Sequence, residues 1–177
     1  MSCHTILIMV DKKVTGSATD ISASSLVVGL VLDGQRYALH LAQVERVIPL
    51  IEITPLPQAP EVIIGMINIQ GWVVPVASIR KRLHLPERVS VLSDRIVIAR
   101  TSRRRIALIV DAAIGVIEIP EPQIAYAGEI LPRINYVEGV AKLEDGMILI
   151  YDLDRFLGTE EEQDLDSALS GMAEGRS

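Results

Sequence analysis

The chain has 177 residues, of which 49% are apolar and 23% charged, so most of it should fold around a core rather than stay disordered. Aromatic residues make up 3%, which leaves Val, Ile and Leu to build that core and favours β-structure. The net charge is −6, but residues 159–177 hold six acids against one arginine, and the nearly neutral remainder argues against nucleic acid as a partner.

Membrane insertion and disulfide bonding are not expected. No apolar run approaches the roughly 18 residues that cross a bilayer, and Thr5–Val10 is too short for a secretory signal. Cys3 is the single cysteine, which suits a reducing compartment. We therefore expect a cytoplasmic protein with no direct membrane insertion.

In chain order, residues 1–24 are predicted to form a flexible arm, because the stretch up to Ser25 is rich in Gly, Ser, Thr and Ala. A β-hairpin follows, in which Leu26–Leu32 and Gln35–Leu41 flank the two-residue turn Asp33-Gly34. Val44–Ile48 continues as a further extended or turn segment.

The proline-rich stretch Pro55–Pro60 cannot be a central strand, because proline lacks the N–H that a ladder needs, so we predict a rigid connector there. Further hairpins are predicted about Gln70-Gly71, between Arg95–Arg100 and Arg105–Val110, and about Asp145-Gly146. Strands of this length at short spacings are typical of small closed barrels.

The chain also repeats itself in outline. Gly65–Leu83 aligns without a gap with the later segment Gly139–Leu157. Two shorter blocks recur in the same order and at similar separations: Ala38–Leu41 with Val47–Ile48 as Ala107–Val110 with Val116–Ile117, and Pro55–Gln58 as Pro120–Gln123. The ordered repeats predict a duplicated all-β unit, with modules at about 25–90 and 91–158. They leave open whether the modules exchange strands.

The C-terminal segment 159–177 is predicted to be an acidic helix or tail. Thr159 followed by three glutamates is a helix-start signal, and Leu165 and Leu169 lie on one face of such a helix. Earlier in the chain, Ala77–Leu83, which follows the hairpin about Gln70-Gly71, fits either a strand end or one helical turn.

No pattern of catalytic, metal-binding or cofactor-binding residues emerges. His4, His40 and His84 are scattered without ligand spacing, and no glycine-rich phosphate loop occurs. Asp152 and Asp154 alternate, as on one strand face, and we interpret them as a solvated strand end rather than paired catalytic carboxylates. We therefore expect no enzyme activity.

Two basic clusters and one tryptophan remain to be explained. Arg80–Arg82 and Arg103–Arg105 lack interleaved aromatics, so we interpret them mainly as solvated turns, with an acidic partner surface as the alternative. Trp72 follows a turn glycine and could lie at an interface or cover a barrel core, and we favour the interface.

These residues, in this order, resemble the CheW family of bacterial chemotaxis coupling proteins. The resemblance extends over about Leu26–Leu169 and is carried by GMINIQGWVVPV with SIRKRL, IALIVDAAIGVIEI, YVEGVAKLEDGMILIYDLDRFL and TEEEQDLDSAL. It implies two pseudo-symmetric, SH3-like five-stranded barrels that share one core over residues 25–158, followed by a short C-terminal helix.

The resemblance further implies a non-enzymatic adaptor without a cofactor. Such a protein couples the cytoplasmic tip of methyl-accepting chemoreceptors to the regulatory domain of the histidine kinase CheA, in the cytoplasm at membrane-attached arrays. By resemblance the receptor-facing residues are Val44, Arg46, Gly65, Gln70, Gly71 and Trp72. The kinase-facing residues are Arg105, Ile109 and Val116.

Two positions depart from the family pattern. The family usually has an arginine where this chain has Gln70 and an acid where it has Arg46, and those two residues can form an ion pair. Glu45 is adjacent, but strand alternation would point it to the opposite face. The departures favour a specialised receptor. The alternative is a kinase-binding protein of this family that regulates or caps the kinase without coupling it to ordinary receptors.

Overall fold

The computed structural model describes residues 23–130 and 134–175. The predicted arm, residues 1–24, lies almost wholly outside them. The strands are β1 Ser24–Leu32, β2 Gln35–His40, β3 Val44–Pro49, β4 Ile63–Ile69, β5 Trp72–Ser78, β6 Arg95–Arg100, β7 Arg105–Val110, β8 Ala112–Pro120, β9 Ile124–Tyr126, β10 Val137–Leu143 and β11 Gly146–Tyr151. The α-helices are α1 Ile79–Arg82, α2 Ala127–Ile130 and α3 Thr159–Glu174. None of the helices in the described ranges is long and apolar enough to cross a bilayer.

The strands form two sheets that each draw on both halves of the chain. Sheet I has the order β3-β6-β7-β5-β4, and sheet II has the order β8-β1-β2-β11-β10-β9. The third strand of each half pairs with the first strand of the other half, β3 with β6 and β8 with β1. Sheet I therefore combines three strands of the first half with two of the second.

The predicted duplication corresponds to matching hairpins, β4–β5 in the first half and β10–β11 in the second. Both ladders shift register at the second residue of their first strand, between Ile63 and Gly65 and between Val137 and Gly139. The central parallel pairs repeat as well, since β5 pairs with β7 in sheet I and β11 pairs with β2 in sheet II. The predicted all-β fold of two pseudo-symmetric units is confirmed.

Sheet II has one strand more than the five predicted. Its short edge strand β9 pairs Ala125 with Val140 of β10. Sheet I has a single bridge at the equivalent place, between Thr54 and Met66. The first connector, with its three prolines, cannot donate the N–H groups that a regular edge strand would need.

Among the residues that the structure describes, three apolar clusters form the core. The first cluster is formed by sheet I alone and includes Ile96, and the second is formed by sheet II alone and includes Val27. The third, called the shared cluster below, contains residues of both sheets. Successive side chains of a strand point to opposite faces, so neighbouring residues belong to different clusters. Val28, next to Val27, and Val97, next to Ile96, both belong to the shared cluster. Strands buried on both faces account for the apolar sequence of Leu26–Leu32, in which no polar residue alternates with the apolar ones.

The acidic C-terminal segment is a helix that packs onto the shared core. Leu165 and Ala168 of α3 are buried there, and Leu169 packs against the same cluster. The helix begins after Gly158 rather than with Thr159 as its cap.

Ion pairs fasten the first turns of α3 to the barrels. Arg82 of α1 pairs with Glu161 at 2.5 Å. Arg104, before β7, pairs with Glu162 at 2.9 Å and also contacts Asp166. The interpretation of both basic clusters as solvated turns is wrong for these arginines, whose side chains are mostly buried because the helix covers them.

Asp152 and Asp154 do not share a strand face as expected, because β11 ends at Tyr151. Asp152 caps the 3-10 turn that follows, accepting a hydrogen bond from the backbone N–H of Asp154 at 3.0 Å. Asp154 accepts a hydrogen bond from the backbone N–H of Ser102. Both carboxylates are therefore occupied in holding local structure.

Candidate functional site

The predicted receptor-facing residues centre on the tip of the β4–β5 hairpin. Gln70 and Gly71 both have positive φ, 52° and 88°, as a type I′ turn requires. The side-chain oxygen of Asn68 accepts a hydrogen bond from the N–H of Gly71 at 2.9 Å. Trp72 follows with 65% of its surface exposed, so it does not cover a core. The turn thus presents a large aromatic side chain to solvent.

A charged network borders Trp72. The Arg105 guanidinium lies 5.1 Å from the centre of the indole ring, a cation–π contact. Nε of Arg105 donates to both carboxylate oxygens of Glu45, at 2.9 and 3.0 Å. Nε of Arg100 donates to Oε1 of Glu45 at 3.0 Å. Partial burial raises the pKa of Glu45, but the hydrogen bonds from Arg105 and Arg100 outweigh burial and hold that pKa below its ordinary value.

A β-bulge in β3 allows the successive residues Glu45 and Arg46 to line the same cavity. Val44 lies opposite Ala99 but Arg46 lies opposite Ile98, which leaves Glu45 as the extra residue. The expectation that Glu45 points away from Arg46 is therefore wrong, since the bulge interrupts the alternation on which it rested.

Arg46 and Gln70 border one cavity of about 170 Å³, which is also lined by Glu45, Trp72 and Arg105. Gln70 is exposed and Arg46 is half-buried. Within residues 23–130 and 134–175, the Arg46 side chain has neither a hydrogen bond nor an ion pair.

The two remaining predicted receptor-facing residues lie behind this surface. Val44 is half-buried and packs against the shared core. Gly65 is buried, with φ +155°, and a Cβ there would lie 2.4 Å from the carbonyl oxygen of Thr54. Gly65 is thus the point where β4 closely approaches the proline-rich connector.

The three predicted kinase-facing residues lie in three places. Arg105 belongs to the network around Trp72. Ile109 is half-buried beside a different cavity, which Asp111 also lines. Val116 is exposed on β8, in sheet II, where Ile114 of the same strand and Leu26 of the adjoining β1 are exposed too.

Sequence reasoning missed the partners of this site. Nothing in the local pattern indicates that Glu45 joins Arg100 and Arg105, which belong to distant strands of the second half. The closeness of the two arginines across the β6–β7 turn was the one available signal.

His40 pairs with Glu138 at 2.6 Å, and within the described part of the chain no three His, Cys, Asp or Glu side chains gather as for a metal ion.

Comparisons with known proteins agree with the fold and the hairpin pattern. The family model described as CheW-like domain matches residues 26–161. The chain is 31% identical over 146 residues to the chemotaxis protein CheW of Bacillus subtilis, covering 81% of this chain and 94% of the relative. It is 27% identical over 131 residues to the chemotaxis protein CheW of Thermotoga maritima, covering 74% of this chain and 86% of that relative.

A solved structure is similar as well. The crystal structure of scaffolding protein TtCheW from Thermoanaerobacter tengcongensis superposes with a TM-score of 0.71 at 31% identity, covering 78% of this chain and 96% of the other. The model match spans well over half of the chain. The chain therefore belongs to the CheW-like domain family.

Proposed function

We propose that this protein is a non-enzymatic adaptor of a chemosensory pathway, which couples chemoreceptors to the regulatory domain of the histidine kinase CheA. The observation that carries the proposal is an exposed tryptophan beside Gln70 at the tip of a hairpin, within a fold whose relatives include a chemotaxis protein and a scaffolding protein. Such an adaptor would work in the cytoplasm, at membrane-attached receptor arrays.

The receptor face in this proposal consists of Arg46, Gln70, Gly71 and Trp72. Trp72 supplies a large contact area of the kind that dominates binding energies at interfaces. Its ring is steadied by Arg105, which Glu45 holds in turn, so binding would cost little ordering of these side chains. Gly65 and Val44 do not belong to this face, because Gly65 is buried against the Thr54 backbone and Val44 packs against the shared core.

The kinase face in this proposal lies on sheet II. Leu26 and Val116 are both exposed on one face of the paired strands β1 and β8, because Val116 lies opposite Val28 and Leu26 is two residues from Val28. Exposed apolar side chains on one sheet face favour a protein contact. We do not assign Arg105 and Ile109 to this kinase face. Arg105 contacts Trp72, and Ile109 lies beside the cavity that Asp111 lines.

The test measures the two partners separately, with purified kinase regulatory domain and receptor cytoplasmic fragments from the same organism. Trp72→Ala should weaken receptor binding at least about tenfold and leave kinase binding unchanged, because an exposed aromatic anchor is lost. Val116→Asp should do the reverse. Equal loss of both partners in either variant would contradict the division into two faces.

The second candidate function is a kinase-binding protein that regulates or caps the kinase without coupling it to ordinary receptors. The arginine and glutamine at positions 46 and 70, where the family usually has an acid and an arginine, are compatible with it, although they favour a specialised receptor. Binding of the wild-type protein to the kinase domain but to no receptor fragment would support this candidate over the first.

A further inference from the structure

The surface around Trp72 carries an excess of positive charge that the chain itself does not neutralise. Arg100 and Arg105 bind the one carboxylate of this surface, that of Glu45, and a third arginine, Arg46, lines the same cavity as Glu45 and Arg105. The local charge is therefore about +2, on a protein whose net charge is −6.

Glu45 pairs with two other arginines, Arg100 and Arg105, and makes no hydrogen bond or ion pair with Arg46 within the described residues. Both of its oxygens accept from Arg105, and Oε1 also accepts from Arg100. Gln70, the other polar residue at the cavity, is neutral and exposed. Among the described residues, no second acid lines this cavity. The Arg46 guanidinium thus offers several N–H donors without an internal acceptor.

We propose that Arg46 receives a carboxylate, a glutamate or aspartate side chain on the surface of the bound receptor, with Trp72 forming the wall beside it. This inference rests on the proposed receptor contact and names its chemistry. A guanidinium binds a carboxylate through two parallel hydrogen bonds, and partial burial strengthens the attraction by reducing solvent screening.

The same arrangement selects against other surfaces. A receptor surface with a basic side chain at this position would meet a local charge of about +2, and like charges at an interface oppose binding. The bulge at Glu45 matters here, because it directs the one local acid toward Arg100 and Arg105 and leaves Arg46 for the partner. Position 46 is therefore the residue that sets which receptors are accepted.

The experiment titrates the wild-type protein, Arg46→Gln and Arg46→Glu with cytoplasmic fragments of the chemoreceptors encoded in the same genome. Arg103→Gln is the matched control, because Arg103 is exposed on the β6–β7 turn and its side chain has no polar partner in the described residues. Trp72 is the single tryptophan and lines the cavity, so its one indole N–H signal in NMR spectra reports occupation of the site.

Arg46→Gln should weaken receptor binding at least about tenfold and reduce its dependence on salt, and Arg46→Glu should weaken it further. Arg103→Gln should change affinity less than about twofold, because an exposed charge outside the contact contributes little. Kinase binding should be unchanged in all variants. Replacing the receptor's acidic residues by lysine one at a time should find one change that restores binding to Arg46→Glu.

Two failures are distinguishable. If the wild-type protein binds a receptor fragment and Arg46→Gln binds it equally well, the carboxylate proposal is overturned while the adaptor function stands. If the wild-type protein binds the kinase domain but no receptor fragment, the receptor half of the proposed function is overturned and the carboxylate proposal with it.

Discussion

At the scale of single residues, Asp111 ties three segments of the chain together. Its carboxylate accepts from Arg80 of α1 at 2.9 and 2.7 Å, from Arg88 of the linker before β6 at 2.6 Å, and from the backbone N–H of Asp33 at 2.8 Å. Burial raises the pKa of Asp111, but the hydrogen bonds from Arg80, the Asp33 backbone and Arg88 outweigh it and hold the pKa below its ordinary value.

Replacing Asp111 by asparagine should lower the free energy of unfolding by about 2 kcal/mol at neutral pH, because hydrogen bonds to charged groups are lost. A pKa that is lower in the folded state than in the unfolded one contributes stability above the ordinary pKa, and that contribution is lost as pH falls through the folded value. The difference between wild type and Asp111→Asn should therefore be full above about pH 5 and shrink in more acidic solution.

Urea unfolding at several pH values measures this difference. Asp145→Asn is the control, because Asp145 accepts from Arg36 at a fully solvated position, where an ion pair contributes little to stability. A difference for Asp111→Asn that stays constant down to about pH 3 would show that the carboxylate's charge is not what stabilises this joint.

At the scale of elements, the hairpins could be predicted from sequence and the surfaces between them could not. Asp33-Gly34 and Gln70-Gly71 have local turn chemistry, and both turns occur with positive φ at each residue. The bulge at Glu45 has no such local signal, because it depends on how β3 meets β6. The docking of α3 depends on pairs such as Arg82 with Glu161, which lie far apart in the sequence.

The candidate site follows the same division. The exposed hairpin with Trp72 follows from the turn and the single tryptophan, and the resemblance assigned Arg46 and Gln70 to one surface. The partners of Glu45 lie at the end of β6 and the start of β7, far from Glu45 in the sequence, so the pattern around Glu45 could not supply them. Gly65, which the resemblance assigned to the receptor-facing surface, is buried where β4 closely approaches Thr54, a packing role that the sequence alone did not indicate.

The approach of β4 to the connector makes Gly65 a sensitive position. An added Cβ would lie 2.4 Å from the Thr54 carbonyl oxygen and 2.6 Å from Cγ2 of Ile53, at a φ of +155° that other residues rarely adopt. Gly65→Ala should therefore lower the free energy of unfolding by about 2–3 kcal/mol.

Thermal and urea unfolding of Gly65→Ala and Gly171→Ala test this reading side by side. Gly171 lies in α3 with no atom within 4 Å of an added Cβ, so alanine there should raise the free energy of unfolding by about 0.5–1 kcal/mol. A free energy of unfolding for Gly65→Ala equal to or above that of the wild type would show that the connector shifts to accommodate the added methyl group.

At the scale of the whole molecule, the two halves complete each other's sheets. Sheet I needs β6 and β7 from the second half, and sheet II needs β1 and β2 from the first. The shared cluster adds buried residues from both halves, such as Leu39 and Leu108, and α3 covers it. A sequence repeat therefore does not mark two independent folding units here, because each repeat lacks the strands that would close its own sheet.

This arrangement predicts the behaviour of a cut chain. A protease site inserted after Ser90, in the exposed part of the linker, would divide the protein into residues 1–90 and 91–177. In size-exclusion chromatography the cut protein should still elute as one species, because the paired strands and the shared cluster hold the two pieces together. Each piece purified alone in denaturant should show no cooperative unfolding transition after dilution, since its strands and apolar faces have no partner. Mixing the two should restore the near-ultraviolet circular dichroism of the intact protein, and cooperative folding of residues 91–177 alone would instead show that each module is self-sufficient.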